Sequence, residues 1–572
     1  MSSQKILNIA FVWNQHQPYY RDEQQGLFIM PWVRLHAAKD YYRMATLLEQ
    51  YPKIKATFSL SPSLMEQLEV YVEERATDLY LNVMKKAREL DEREQTFLLK
   101  HYFDIQHEKV ISRYPYYWQL LDRRGMKEPG PDGLLEARQR YTVQDYLDLQ
   151  VWFNLVWIDP EIRKQDPFLQ GLVYKGRNYT EKEKEELLKH HYSLMEDVVP
   201  VHRRLQEKEQ IEIITTAYYH PILPLLVDNY SSLRASPGLP LPRRFSFPED
   251  ARAQVEMATM QYRRYFDVEP RGFWPPEMAV SPETIPLLAD LGFQWTITDE
   301  QILSRSLGLE VYRDGYGHVL NPEVLYQPYL ACGEGTELPI IFRDHHLSDR
   351  IGFVYQHMSA VDAAADLVHR LQVIRDKLMD SSGSYLVTIA LDGENAWEWY
   401  AGEKNDFLHA LYGGISNAPY LKTVTVDEYL KENPPRRKIN QLATGSWVDH
   451  NLARWIGTEN KNKLWDRLLE TRLAVKEWSE RAPEPSRLKQ ALSSIYKAEG
   501  SDFTWWVDSM PYYLAAPFEM LFRQHLADVY VAMGKEIPSI LGEPLLKAPH
   551  GEEKHQCLPE IPVCMVPSWN EE

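Results

Sequence analysis

Two acidic residues sit where parallel α/β proteins place their reactive groups, each just past a short apolar run. In Tyr385 to Tyr400, YLVTIALDGENAWEWY, a stretch rich in β-branched residues breaks off at Asp392, Gly393 and Glu394. Val387 and Ile389 favour a covered strand, and Gly393 allows a sharp exit. Asp392 is then left at the strand's C-terminal tip, where chemistry sits in such folds. An aspartate there also suits the cap of a following helix. A second junction shifts the balance: in Arg271 to Glu283, RGFWPPEMAVSPE, Glu277 follows a short aromatic segment and two prolines that keep it out of a continuing helix. Two carboxylates on separate strand ends suit general acid/base work, or a nucleophile with its acid.

The elements that must carry these groups follow a rhythm of strand, polar rim and helix. Strands are expected at Lys5 to Val12, Lys53 to Leu60, Ile211 to Thr216, Gly272 to Trp274, Gln294 to Thr298, Glu337 to Phe342 and Tyr385 to Leu391. Beyond their ends lie His16, Ser61-Pro62, Tyr218 to His220, Glu277, Asp299-Glu300, Arg343 to His346 and Asp392. Seven such repeats describe a barrel-like parallel sheet. From about 67 to 206 the pattern is charged and helical, an insertion in which Trp152 and Trp157 read as core. A Pro-rich, basic break near Glu432, ENPPRRK, opens a helical C-terminal region to about 545. There Trp465, Leu468, Leu469 and Leu473 form a stripe expected to be buried. Residues 546–572 read as a Pro-rich tail whose His550, His555, Cys557 and Cys564 match no common zinc spacing.

Composition narrows the function. At 572 residues the chain exceeds one ordinary core. A net charge of −18 leaves no basic stripe for nucleic acid. The longest apolar-looking region, Ile211 to Val227, is broken by Glu212, His220, Pro221 and Pro224, so no membrane span is expected. No signal peptide is read at the start, and three cysteines make no disulfide framework, so a cytoplasmic protein with reduced thiols is expected. Of the 16 Trp and 35 Tyr, many fall beside the acidic motifs, and sugar rings stack on such faces.

His16-Gln17-Pro18, IEIITTAYYH (Ile211 to His220), FWPPEMA, LDGENAWEW, GSWVDHNLARWIG and AEGSDFTWW together resemble glycoside hydrolase family 57, from end to end of the chain. The resemblance implies an α/β fold, an incomplete seven-stranded (β/α)7 barrel spanning 1–431 with a helical C-terminal domain over 432–545 packed against it. It also implies a retaining enzyme of α-amylase, amylopullulanase or 4-α-glucanotransferase type acting on an α-glucan or maltooligosaccharide without cofactor or metal. By resemblance Glu277 is the nucleophile and Asp392 the acid/base, with carboxyls about 5–5.5 Å apart. Asp392 is expected to hold its proton, helped by the charge of Glu277. His16, His220, Asp344, His345 and Asp349 are candidates for sugar hydroxyls, and Trp274, Trp397, Trp447, Trp455, Asp502 and Trp505 for shaping subsites. The rival readings are a metal-dependent, polysaccharide deacetylase-like hydrolase, since the histidines and aspartates include good ligands, and a non-catalytic glucan-binding protein on the same scaffold.

Overall fold

A computed structural model describes residues 5–127 and 130–547. Seven parallel strands ring a central core: β1 (Leu7–Gln15), β2 (Ala56–Leu60), β3 (Ile211–Ile214), β4 (Gly272–Phe273), β5 (Trp295–Asp299), β6 (Thr336–Arg343) and β7 (Leu386–Asp392). Neighbours follow chain order, and β7 returns to β1 with Asn14 opposite Asp392. Two joints are thin. The β3 side meets β4 through the single pair Thr215 and Phe273, and β6 meets β7 only at Arg343 and Thr388.

The pleat of β1 explains the packing on both sides of the ring. Ala10 and Val12 join Ile214, Trp274, Trp295, Ile297, Ile341 and Ala390 in the barrel interior, while Ile9, Phe11 and Trp13 face the larger core under the helices. The Trp295 ring fills the space beside β4 so closely that a Cβ on Gly272 would lie 2.3 Å from it, so only glycine fits. The strand Tyr329–Gly333, which the sequence pattern does not reveal, pairs antiparallel with β6.

Between β2 and β3 the chain is helical. It begins with α1 (Pro62–Glu73), whose N-cap Ser61 accepts from Leu64 N–H, and includes α2 (Val143–Val156) and α3 (Glu181–Glu207). Helix α2 is buried from Asp145 to Val156, and Trp152 and Trp157 are core. Helices α4 (Pro248–Phe266), α5 (Glu300–Leu307), α6 (His345–Asp349) and α7 (Ala360–Lys377) surround the ring. Four more follow: α8 (Glu403–Ser416), α9 (Glu459–Ser479), α10 (Pro485–Ala498) and α11 (Ser501–Trp506).

In α9, Trp465, Leu468 and Leu469 are buried but Leu473 is 46% exposed, contrary to the expected stripe. Eight residues carry it about 80° round the helix from Trp465, and Arg472 takes the inner face through two hydrogen bonds to Asp250 of α4. Among the described residues no helix is long and apolar enough to cross a membrane. The candidate zinc ligands His550, His555, Cys557 and Cys564 lie outside them.

Candidate active site

Asp392 ends β7 beside the end of β1. Asn14 and Asn395 donate side-chain amide hydrogen bonds to its two oxygens at 3.1 and 3.0 Å. The next residue turns in tightly: Gly393 N–H donates to Asn14 O, and a Cβ there would lie 3.1 Å from the Gln15 side chain. The glycine is needed for close approach, since its φ is not positive. Beneath the turn, Trp397 is fully buried against Trp13 and Tyr400 and donates to Gly393 O. Its ring supports the Asp392 loop from below and offers no face to a sugar.

Glu277 is held differently. Pro275 and Pro276 force the chain through a short turn in which Glu277 has φ 55° and ψ 26°, a left-handed conformation that costs a non-glycine residue about 1 kcal/mol or more. The surroundings pin it. Val280 pairs antiparallel with Gly445, Trp447 N–H donates to Glu277 O, and Trp447 Nε1 donates to Glu277 Oε2 at 2.8 Å. Trp447 in turn lies under the Arg343 guanidinium and edge-on to the buried Trp274. Trp447, expected to shape a subsite, holds the Glu277 carboxylate in place.

The two acids feel each other. Burial and the negative charge of Asp392 push Glu277 up to about 8, against the Trp447 hydrogen bond and the charge of Arg454. Asp392 is also raised by burial, but the Asn14 and Asn395 amides, His16 and Arg343 draw it back. Glu277 therefore holds one proton near neutrality, next to a second carboxyl that is itself raised, as expected for Asp392. Chemistry that needs one acid and one base requires that single proton, so kcat/KM should fall about tenfold per pH unit above roughly pH 8, as the last proton leaves the free enzyme. A pH–rate profile checks this, and a plateau through pH 9 would count against it.

At the C-terminal ends of β5 and β6 lies a second charged group, in which the expected hydroxyl ligands His345 and Asp349 are joined by Asp299 and Arg343, to which the sequence assigns no role. Arg343 donates to buried Asp299 and to Ala390 O. Burial would raise Asp299, yet Arg343 and His345 hold it down at about 2. His345 bridges Asp299 and Asp349 at 2.9 Å each. Burial alone would lower its pKa, but these two carboxylates lift it to about 10, so it is a cation. Asp349 is about one-third exposed beside it. Asp344, by contrast, is spent: its oxygens accept from Arg313, from Tyr326 and from Leu347 N–H at the start of α6. Nothing is left for a substrate.

On the opposite side, His16 and His220 stack with ring centroids 3.7 Å apart and planes 13° apart. His16 pairs with Ser61 and Asp502, and His220 with Ser501 through Nδ1, leaving its buried Nε2 without a protein partner. His16, His220 and Asp502 offer ligand atoms within 4.8 Å of one another. Their geometry does not suit a metal, however. An imidazole binds along its nitrogen lone pair, in the ring plane, at about 2.0–2.1 Å, and two nearly parallel stacked rings direct those lone pairs side by side and not toward one point. Burial and the neighbouring His16 hold His220 well below its ordinary value, so it is neutral. Asp502 comes from α11, with Trp505 one turn on, and Trp455 packs fully buried 5.9 Å from Trp505.

A family profile described as Glycosyl hydrolase family 57 matches residues 10–441. An α-amylase of Pyrococcus furiosus is 23% identical over 239 residues, which cover 41% of this chain and 30% of that protein. Among solved structures, a family 57-type branching enzyme from Pyrococcus horikoshii is 16% identical with a TM-score of 0.58, covering 98% of this chain and 99% of that one. An α-amylase from Thermotoga maritima is 14% identical with a TM-score of 0.55, covering 94% and 96%. At these identities the structural likeness concerns the fold.

Proposed function

The chain belongs to glycosyl hydrolase family 57, and from that premise we propose that it is a retaining α-glucan hydrolase or transglycosylase in which Glu277 attacks the anomeric carbon and Asp392 serves as acid and then base. One observation above all supports this: two half-buried carboxyl groups on different strand ends lie close enough that the charge of Asp392 adds to burial in raising Glu277. Glu277 is aimed by Trp447, as a nucleophile must be, and Asp392 is turned by two amides that leave a carboxyl free to give its proton to a leaving oxygen. Once Glu277 is esterified its charge is gone, and Asp392 becomes the base for water or a second glucan. His16, His220, His345, Asp349 and Asp502 line the cleft as hydroxyl partners. Trp505 supplies an apolar face with Trp455 packed behind it, and Trp274 packs behind Trp447.

Incubation with amylose, pullulan and maltooligosaccharides, followed by chain-length analysis and by NMR of the first-formed anomer, tests this. Products of α configuration are expected. A β product, or no attack on any α-glucan, would overturn the proposal.

Trp447→Phe keeps the ring under Arg343 but removes the indole donor. It should lower kcat roughly 10- to 100-fold, the worth of a hydrogen bond to a charged group. Because that bond stabilises ionised Glu277, its loss should also shift the alkaline limb of kcat/KM to higher pH. A variant that loses rate without this shift would mean that Trp447 only packs.

A further inference from the structure

Arg454 differs from every other arginine around the cleft. Arg343 and Arg313 are each held in ion pairs, Arg343 with Asp299 and a backbone oxygen and Arg313 with Glu300 and Asp344. Elsewhere Arg21, Arg138 and Arg163 also have an unbonded Nε, yet each keeps an ion pair. Arg454 is half-buried, lies 4.3 Å over the Trp505 ring, and makes no hydrogen bond or ion pair with any described residue; its Nε is shut away from solvent with no acceptor. A guanidinium so placed forfeits hydration that the protein does not replace. It sits within electrostatic reach of Glu277 and Asp449, and burial lowers its pKa. The neighbouring Lys461 is committed to Ser509 and supplies no acceptor.

We propose that Arg454, carried on Trp505, is the hydroxyl-binding arm of a glucosyl subsite beside Glu277, resting on the α-glucan reading above. Its planar fork of donors suits adjacent sugar hydroxyls, and the Trp505 face suits the apolar side of the same or the next ring. An anionic ligand is disfavoured, because Glu277, Asp392 and Asp502 already repel one another there. The ligand this chemistry selects is a neutral polyol.

Arg454→Met retains length and contact with Trp505 but removes the donors, and Arg454→Lys retains charge without the fork. With maltoheptaose as the probe, Arg454→Met is expected to raise KM, and the dissociation constant read by tryptophan fluorescence, roughly 10- to 100-fold, with a much smaller change in kcat. Arg454→Lys should fall between it and wild type. If wild type cleaves and binds maltoheptaose while both variants bind it equally well, or if kcat falls and KM does not, the inference fails and the α-glucan reading stands. If wild type neither cleaves nor binds any α-glucan, both fail together.

Discussion

Glu277→Ala is expected to reduce turnover on every α-glucan by about ten-thousandfold or more, and added azide to restore part of it while releasing a glycosyl azide of inverted configuration. The geometry supports the rescue. Removing the carboxylate vacates a space next to Trp447 Nε1, an N–H now without its acceptor, and a small anion there meets both a donor and the exposed anomeric face. Glu277→Gln is the control. Its amide oxygen still accepts from Trp447 and its side chain still fills the space, so it should be equally inactive and azide should not revive it. Both variants inherit the same left-handed backbone at 277, so neither relieves nor adds strain, and misfolding would not separate them. Rescue of Glu277→Gln, or a retained azide from Glu277→Ala, would remove Glu277 from the nucleophile's place.

The strands were legible because each combines an apolar, β-branched run with a polar tip, and that pattern is local. Even the two-residue β4 was visible, since Pro275 and Pro276 announce its end. The partner strand Tyr329–Gly333 was missed because its hairpin signal is Glu334-Gly335, both with positive φ, in a stretch with weak alternation. What sequence could not give was the division of labour among the site's side chains. Trp447 reaches Glu277 across 170 positions, through a pairing of Val280 with Gly445 that no periodicity signals. Asp344 reads like His345, one residue on, yet Arg313 and Tyr326 take its oxygens and leave His345 at the cleft. Trp397 lies in the same motif as Asp392, but the turn at Gly393 sends the indole inward. Arg454 was passed over for the opposite reason: a lone arginine before a tryptophan is ordinary in sequence, and only the lack of a hydrogen-bonded or ion-paired partner among the described residues marks it.

Asp392→Ala should separate the two carboxyl groups more sharply than any loss of rate. Without an acid, glucans with unactivated leaving oxygens should be cleaved roughly 100- to 10,000-fold more slowly, whereas an α-glucosyl fluoride, whose leaving group needs little protonation, should still glycosylate Glu277. The variant also changes the nucleophile. Burial and, after it, the charge of Asp392 raise Glu277; with that charge removed the carboxyl titrates lower, so fluoride release should set in at lower pH than in wild type. The alkaline limb near pH 8 should disappear, since no proton remains to be lost. Azide, attacking the glycosyl-enzyme from the side where Asp392 stood, should give a product of retained configuration, the opposite of that from Glu277→Ala. The half-buried Asn395 amide can take water in place of the lost acceptor, while the buried Asn14 amide cannot, so folding should survive with a loss of about 1–3 kcal/mol. If the two azide products come out exchanged, the roles of Glu277 and Asp392 are exchanged with them, and if fluoride is released no faster than glucan is cleaved, Asp392 is not the acid.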